Sequence, residues 1–123
     1  METENRSVLF VDDDEQIIAL LRRLFVNEKP RTFFAQSGEE GLEILDENRI
    51  DLVVSDMQMP QMDGIAFLEK VKEKYPETIR YMMSGSADKC ISDDSLLAEY
   101  AHRVLLKPWD NKRLREIIRK ALQ

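Results

Sequence analysis

Apolar positions along this chain follow two alternating patterns. Five short runs rich in branched or aromatic residues lie at Ser7 to Val11, Thr32 to Ala35, Asp51 to Ser55, Ile79 to Met83 and Arg103 to Leu106. Each has the length and composition of a strand. Between them apolar residues recur at helical spacing: Ile17, Leu20, Leu21, Leu24 and Phe25; Leu42 and Leu45; Phe67, Leu68 and Val71; and, less regularly, Leu96, Leu97 and Tyr100. A last set, Leu114, Ile117, Ile118 and Leu122, follows Asp110, a residue type that caps helix starts. Five strands and five helices in strict alternation, joined by short connections, predict βαβ crossovers and a parallel sheet covered on both faces. The chain is therefore expected to be one doubly wound α/β domain, in which ligands bind beyond the carboxyl ends of the strands.

The residues at those ends carry the candidate chemistry. Asp12, Asp13 and Asp14 follow the first run, Asp56 the third, Ser84 the fourth and Lys107 the fifth. Carboxylates gathered this way repel one another unless a proton or a cation is taken up. Hard oxygen ligands favour Mg²⁺, with Mn²⁺ as the alternative. Zinc fits poorly, because Cys90 and His102 are the only soft or imidazole groups and their spacing matches no zinc pattern. Lys107 adds a compact positive charge and Ser84 a hydroxyl, a set suited to phosphoryl oxygens. Asp56 stands alone after DLVVS and is the candidate nucleophile, whereas Asp12 and Asp13 come as a pair suited to holding the metal. Asp14 is expected only to cap the following helix.

Composition narrows the field. The 123 residues, 43% hydrophobic and 34% charged, fit one soluble domain over 1–123, with residues 1–6 expected to be disordered. No apolar run is long enough for a membrane span, and METENRS is too polar for a secretory signal, so a cytoplasmic protein is expected. The lone Cys90 forms no internal disulfide. A net charge of −6 argues against direct nucleic-acid binding, and the basic run KRLREIIRK reads as a solvated helix face.

These residues resemble the receiver domain of two-component response regulators. V-D-D at Val11 to Asp13, D-M-Q-M-P-Q-M-D-G from Asp56 to Gly64, M-S-G at Met83 to Gly85 and K-P-W at Lys107 to Trp109 carry the resemblance, in order and over nearly the whole chain. It implies a flavodoxin-like fold with strand order 2-1-3-4-5. It implies that Asp56 is phosphorylated by a histidine kinase or phosphotransfer protein, and that Asp12, Asp13, Asp56 and the backbone carbonyl of Gln58 bind Mg²⁺. Ser84 and Lys107 would contact the phosphoryl oxygens, and the Lys107 to Pro108 peptide would be cis. Such a domain phosphorylates and dephosphorylates itself and is a switch, not an enzyme with an external substrate. Its surface around the fourth helix, fifth strand and fifth helix would meet an output domain, an effector or a second copy. One departure stands out: the aromatic switch residue usual three positions before the lysine is here Val104.

Other readings stay open beside this one. A degenerate receiver would serve only as a protein-binding platform. An aspartyl-phosphate phosphatase would need an acid where Gln58 stands, and a nucleotide or flavin module would need a glycine-rich loop where VDDDEQ stands. Trp109 is either an interface anchor or a cover for the last helix. His102 is expected at the surface, Met82 and Met83 in the core, and the Gln58 side chain either tunes attacking water or faces solvent. The chain is either a stand-alone protein or a domain excised from a longer one with an output domain.

Overall fold

The computed structural model describes residues 6–85 and 99–123. Its elements run β1 (Ser7–Val11), α1 (Glu15–Phe25), β2 (Arg31–Ala35), α2 (Gly38–Glu47), β3 (Leu52–Asp56), α3 (Gly64–Lys74), β4 (Ile79–Gly85), β5 (Arg103–Lys107) and α4 (Asn111–Ala121). All pairings are parallel and the strand order is β2-β1-β3-β4-β5. Helix α4 is the fifth helix of the sequence pattern. The expected helix through Leu96 and Leu97, and Cys90 with it, fall outside the described residues, as do residues 1–5. None of the described helices is long and apolar enough to cross a membrane.

Side-chain alternation along the strands divides the core in two. Leu9, Val11 and Val53 face one way and pack with Leu45 of α2 and Phe67, Leu68 and Val71 of α3. Val8, Phe10, Leu52 and Val54 face the other way, against Leu21 and Phe25 of α1 and Leu114 and Ile118 of α4. The central strands β1 and β3 are buried along their whole length, as a parallel sheet covered on both faces requires, whereas β5 fully buries only Leu105.

Each of α1 to α4 begins with a capping side chain at the carboxyl end of the sheet. Asp14 accepts from Gln16 N–H, Ser37 from Glu40 N–H, Asp63 from Ala66 N–H, and Asp110 from the N–H groups of Lys112 and Arg113. These caps satisfy orphan amides and start the helices just past the strands, so that the strand-end residues are left facing a shared cleft.

Candidate functional site

Alternation also explains which strand-end residues meet. Val8 pairs with Leu52 and Phe10 with Val54, so Asp12 and Asp56 continue the same side of two adjacent strands. Lys107 continues the side on which Leu105 is buried. The ammonium of Lys107 lies 3.1 Å from Asp12 Oδ2 and 3.0 Å from Asp56 Oδ1. Asp12 is fully buried; its Oδ1 accepts from Asp14 N–H at 2.9 Å and its own N–H donates to Ala35 O at 3.0 Å. Asp13 is exposed at the rim, and one oxygen from each of Asp12, Asp13 and Asp56 lies within 4.8 Å of the others.

Unit charges at that separation repel by about 3 kcal/mol per pair at an effective dielectric constant of about 20. One ammonium leaves three carboxylates under-neutralised. Burial raises the pKa of both Asp12 and Asp56 above 3.8 against the opposing pull of Lys107. Burial works against the charge of Lys107, yet its hydrogen bonds and attraction to Asp56 and Asp12 outweigh this and raise its pKa above 10.5. All three groups are thus shifted toward holding protons, the signature of a site short of positive charge. An oxygen-only donor set of this kind fits a hard divalent cation.

The loop after Asp56 is held by main-chain bonds: Met57 N–H donates to Met83 O at 2.9 Å and Gly64 N–H to Met57 O at 2.8 Å. Gly64 is pressed so closely against this loop that a Cβ there would stand 2.2 Å from the Asp56 carbonyl oxygen. Between them Met62 N–H donates to Pro60 O at 2.7 Å across Gln61, whose φ is 70°, a γ-turn that few non-glycine residues adopt. Neither the close approach nor the turn has a local sequence signal beyond the glycine itself.

The other sequence candidates are placed as follows. Ser84 is buried, its hydroxyl 3.3 Å from Gly85 O and 3.9 Å from Met57 Sδ. Gln58 is exposed beside Asp56. The Lys107–Pro108 peptide is cis. Val104 is half-buried against the cluster containing Met82 and Ala101, and Trp109 is half-buried against the opposite cluster. Ile17, Leu20, Pro108 and Trp109 line an apolar cleft of about 470 Å³ beside Lys107. His102 is exposed, as the sequence predicts, but its ring hydrogen-bonds to the main chain of Arg80, a buried residue with no distinguishing feature in the sequence.

Residues 8–119 match the response regulator receiver domain, and the chain belongs to that family. It is 36% identical over 121 residues to sporulation initiation phosphotransferase F of Bacillus subtilis, covering 96% of this chain and 94% of that protein. It is 29% identical to the hydrogenase transcriptional regulatory protein HoxA of Cupriavidus necator, of which it spans only 25%. Among solved structures, the signal receiver domain of an HD domain-containing protein from Pseudomonas fluorescens superposes with a TM-score of 0.87 at 31% identity, covering 95% of this chain and 94% of that one. An uncharacterized protein from Neptuniibacter caesariensis gives 0.88 at 36% identity, covering 97% and 88%.

Proposed function

We propose that Asp56 accepts a phosphoryl group from a phosphohistidine, on a histidine kinase or a phosphotransfer protein, in a Mg²⁺-dependent reaction in the cytoplasm. The observation that carries this reading is the clustering of Asp12, Asp13 and Asp56, with the ammonium of Lys107 paired to Asp12 and Asp56. A carboxylate oxygen of Asp56 attacks phosphorus, the bond from phosphorus to the imidazole nitrogen breaks, and the imidazole leaves with the electron pair. Lys107 passes from the Asp56 carboxylate to a phosphoryl oxygen, and the Ser84 hydroxyl donates to another. Asp12, Asp13, Asp56 and the Gln58 carbonyl would hold Mg²⁺, which supplies neutralisation of the phosphoryl charge. Water attack on phosphorus later restores the carboxylate and releases phosphate, so the domain is a self-resetting switch with no external substrate. The apolar cleft lined by Leu20 and Trp109 offers a seat for the phosphodonor beside the acceptor.

The output would be read from the surface of β5 and α4 together with the fourth helix of the sequence pattern, by an output domain of the same polypeptide, a separate effector or a second copy. The relatives include a transcriptional regulator and a receiver from an HD domain-containing protein, and either kind of output is compatible with this chain. Val104 in place of an aromatic favours a second reading, a binding platform that transfers no phosphoryl group. Intact mass after incubation with acetyl phosphate separates the two. A Mg²⁺-dependent gain of one phosphoryl mass, absent in Asp56→Asn, supports the acceptor; no gain under any condition supports the platform. Sustained turnover of a small phosphomonoester would instead indicate a phosphatase.

A further inference from the structure

Arg80 is a buried cation outside the acidic site. It is the second residue of β4 and 6% exposed, and among the described residues no carboxylate lies within ion-pair distance of it. Main-chain carbonyls accept from two of its nitrogens instead: Nε donates to Tyr100 O at 2.8 Å, and Nη1 to Thr78 O at 3.0 Å and Pro76 O at 3.5 Å. Burying a guanidinium without a carboxylate is costly, and a well-packed apolar side chain often serves stability better. Arginine at this position therefore points to a task that an apolar residue does not perform.

The main chain of Arg80 is gripped as well. Its N–H donates to His102 Nδ1 at 3.0 Å, and its carbonyl accepts from His102 N–H at 2.7 Å. One residue thus bonds both polar groups of Arg80, immediately before the first β4–β5 pair, Tyr81 with Arg103. From α3, Lys72 Nζ donates to Glu99 O at 3.0 Å. The approach to β5 is tied down at Glu99, Tyr100 and His102.

Strand β5 has a physical need for such a clasp. Register is fixed most strongly where a strand buries a continuous face. β5 pairs only with β4 and fully buries only Leu105, whereas β1 and β3 bury every residue. Its register, which ends with Lys107 opposite Gly85, decides where the ammonium stands. The smallest slip that keeps side chains on their faces is two residues, about 6.6 Å. That would withdraw Lys107 from oxygens it now meets at 3.0 and 3.1 Å.

We infer that Arg80 and His102 are positioning residues for the phosphoryl-transfer site: their clasp at the amino end of β5 sets the register that places Lys107 between Asp12 and Asp56. The functional half of this inference rests on the proposed role of Lys107; the register half is readable on its own.

The test compares full-chain wild type with Arg80→Met, His102→Phe and His102→Asn. It follows the backbone amide shifts of residues 103–107 and of β1, Mg²⁺ affinity from the Asp13 amide, and the rate of mass gain with acetyl phosphate. In Arg80→Met and His102→Phe the β5 shifts move while those of β1 stay. Phosphoryl uptake slows by about 10-fold or more, given what ångström-scale misplacement costs. Mg²⁺ affinity does not fall and, where Lys107 is withdrawn, rises as it does on removing the lysine, because no acidic ligand lies on β5 and the ammonium competes for Asp12 and Asp56. His102→Asn restores wild-type behaviour, since its Oδ1 reaches the place of Nδ1. Wild-type β5 shifts and uptake in both Arg80→Met and His102→Phe would overturn the inference. So would an unfolded Arg80→Met beside a His102→Phe that behaves as wild type. A wild type that takes up no phosphoryl group would sink the acceptor reading instead, and the clasp would then stand or fall on the β5 shifts.

Discussion

Replacing Gly64 by alanine sets two effects of opposite sign against each other. Gly64 opens α3, and its φ is not positive, so alanine can adopt the backbone and should gain about 0.5–1 kcal/mol from helix propensity and lower unfolded-state entropy. Against this, the new Cβ would stand 2.2 Å from Asp56 O and 2.9 Å from Met57 Cα, where ordinary contact begins at 3.4 Å. The neighbours are backbone, and the Asp56 carbonyl would have to retreat by 3.4 − 2.2 = 1.2 Å. Overpacking of this kind costs about 1–3 kcal/mol, and backbone on the far side puts this site at the upper end. The net loss is therefore about 2 kcal/mol. For a chain of 123 residues the unfolding entropy is about 0.26 kcal/mol/K, so the midpoint should fall by about 8 °C. Because the displaced carbonyl belongs to Asp56 itself, phosphoryl uptake should slow as well, by up to about 100-fold. Thermal unfolding by circular dichroism and uptake from acetyl phosphate read the two effects. A Gly64→Ala protein melting at or above the wild-type temperature with undiminished uptake would refute the reasoning.

Four further outcomes are expected. In metal-free buffer Asp12→Asn should gain stability on the wild type as pH rises. The Asp12 pKa is raised above 3.8 in the fold, so its contribution is present at acid pH and lost as pH climbs through the folded value; urea midpoints at several pH values check this, and a pH-independent difference would contradict it. Mg²⁺ at 100 times its Kd should stabilise the fold by about 2.7 kcal/mol, or about 10 °C, and less in Asp13→Ala, as measured by thermal shift. Lys107→Ala should bind Mg²⁺ more tightly in calorimetric titration, since a competing cation is gone, while taking up phosphoryl more slowly. Ile118→Ala, at a fully buried position of α4, should lower the unfolding free energy by about 2–4 kcal/mol in urea.

Strands and helices were legible wherever burial is continuous. β1 lies where the apolar run SVLFV puts it, and Asp110 caps α4 as its position before Leu114 predicts. β4 runs two residues past the apolar run, to Gly85, because pairing of Ser84 and Gly85 with Leu106 and Lys107 extends it, which composition does not encode. The acidic site was legible because its members stand at strand ends of known spacing, and strand alternation does the rest. The turn at Gln61 was not, since nothing about a glutamine announces a positive φ. Nor was the role of Arg80: nothing within IRYMM marks it out, and its burial follows from the carbonyls of Thr78 and Tyr100. His102 was read by exposure alone, which misses a ring nitrogen that completes a sheet.

The acid pair and the lysine stand on unequal ground. Asp12 and Asp56 end the two strands that are buried throughout, while Lys107 ends a strand at the sheet margin in which only Leu105 is fully buried. Substitutions in the first two strands would be felt by the whole core, whereas most of those in the last would be absorbed locally. A lineage built on this plan can therefore keep its chemistry fixed while it redraws what the last strand displays, one marginal residue at a time. Val104 and the exposed Leu106 are the kind of variation that such a division of labour permits.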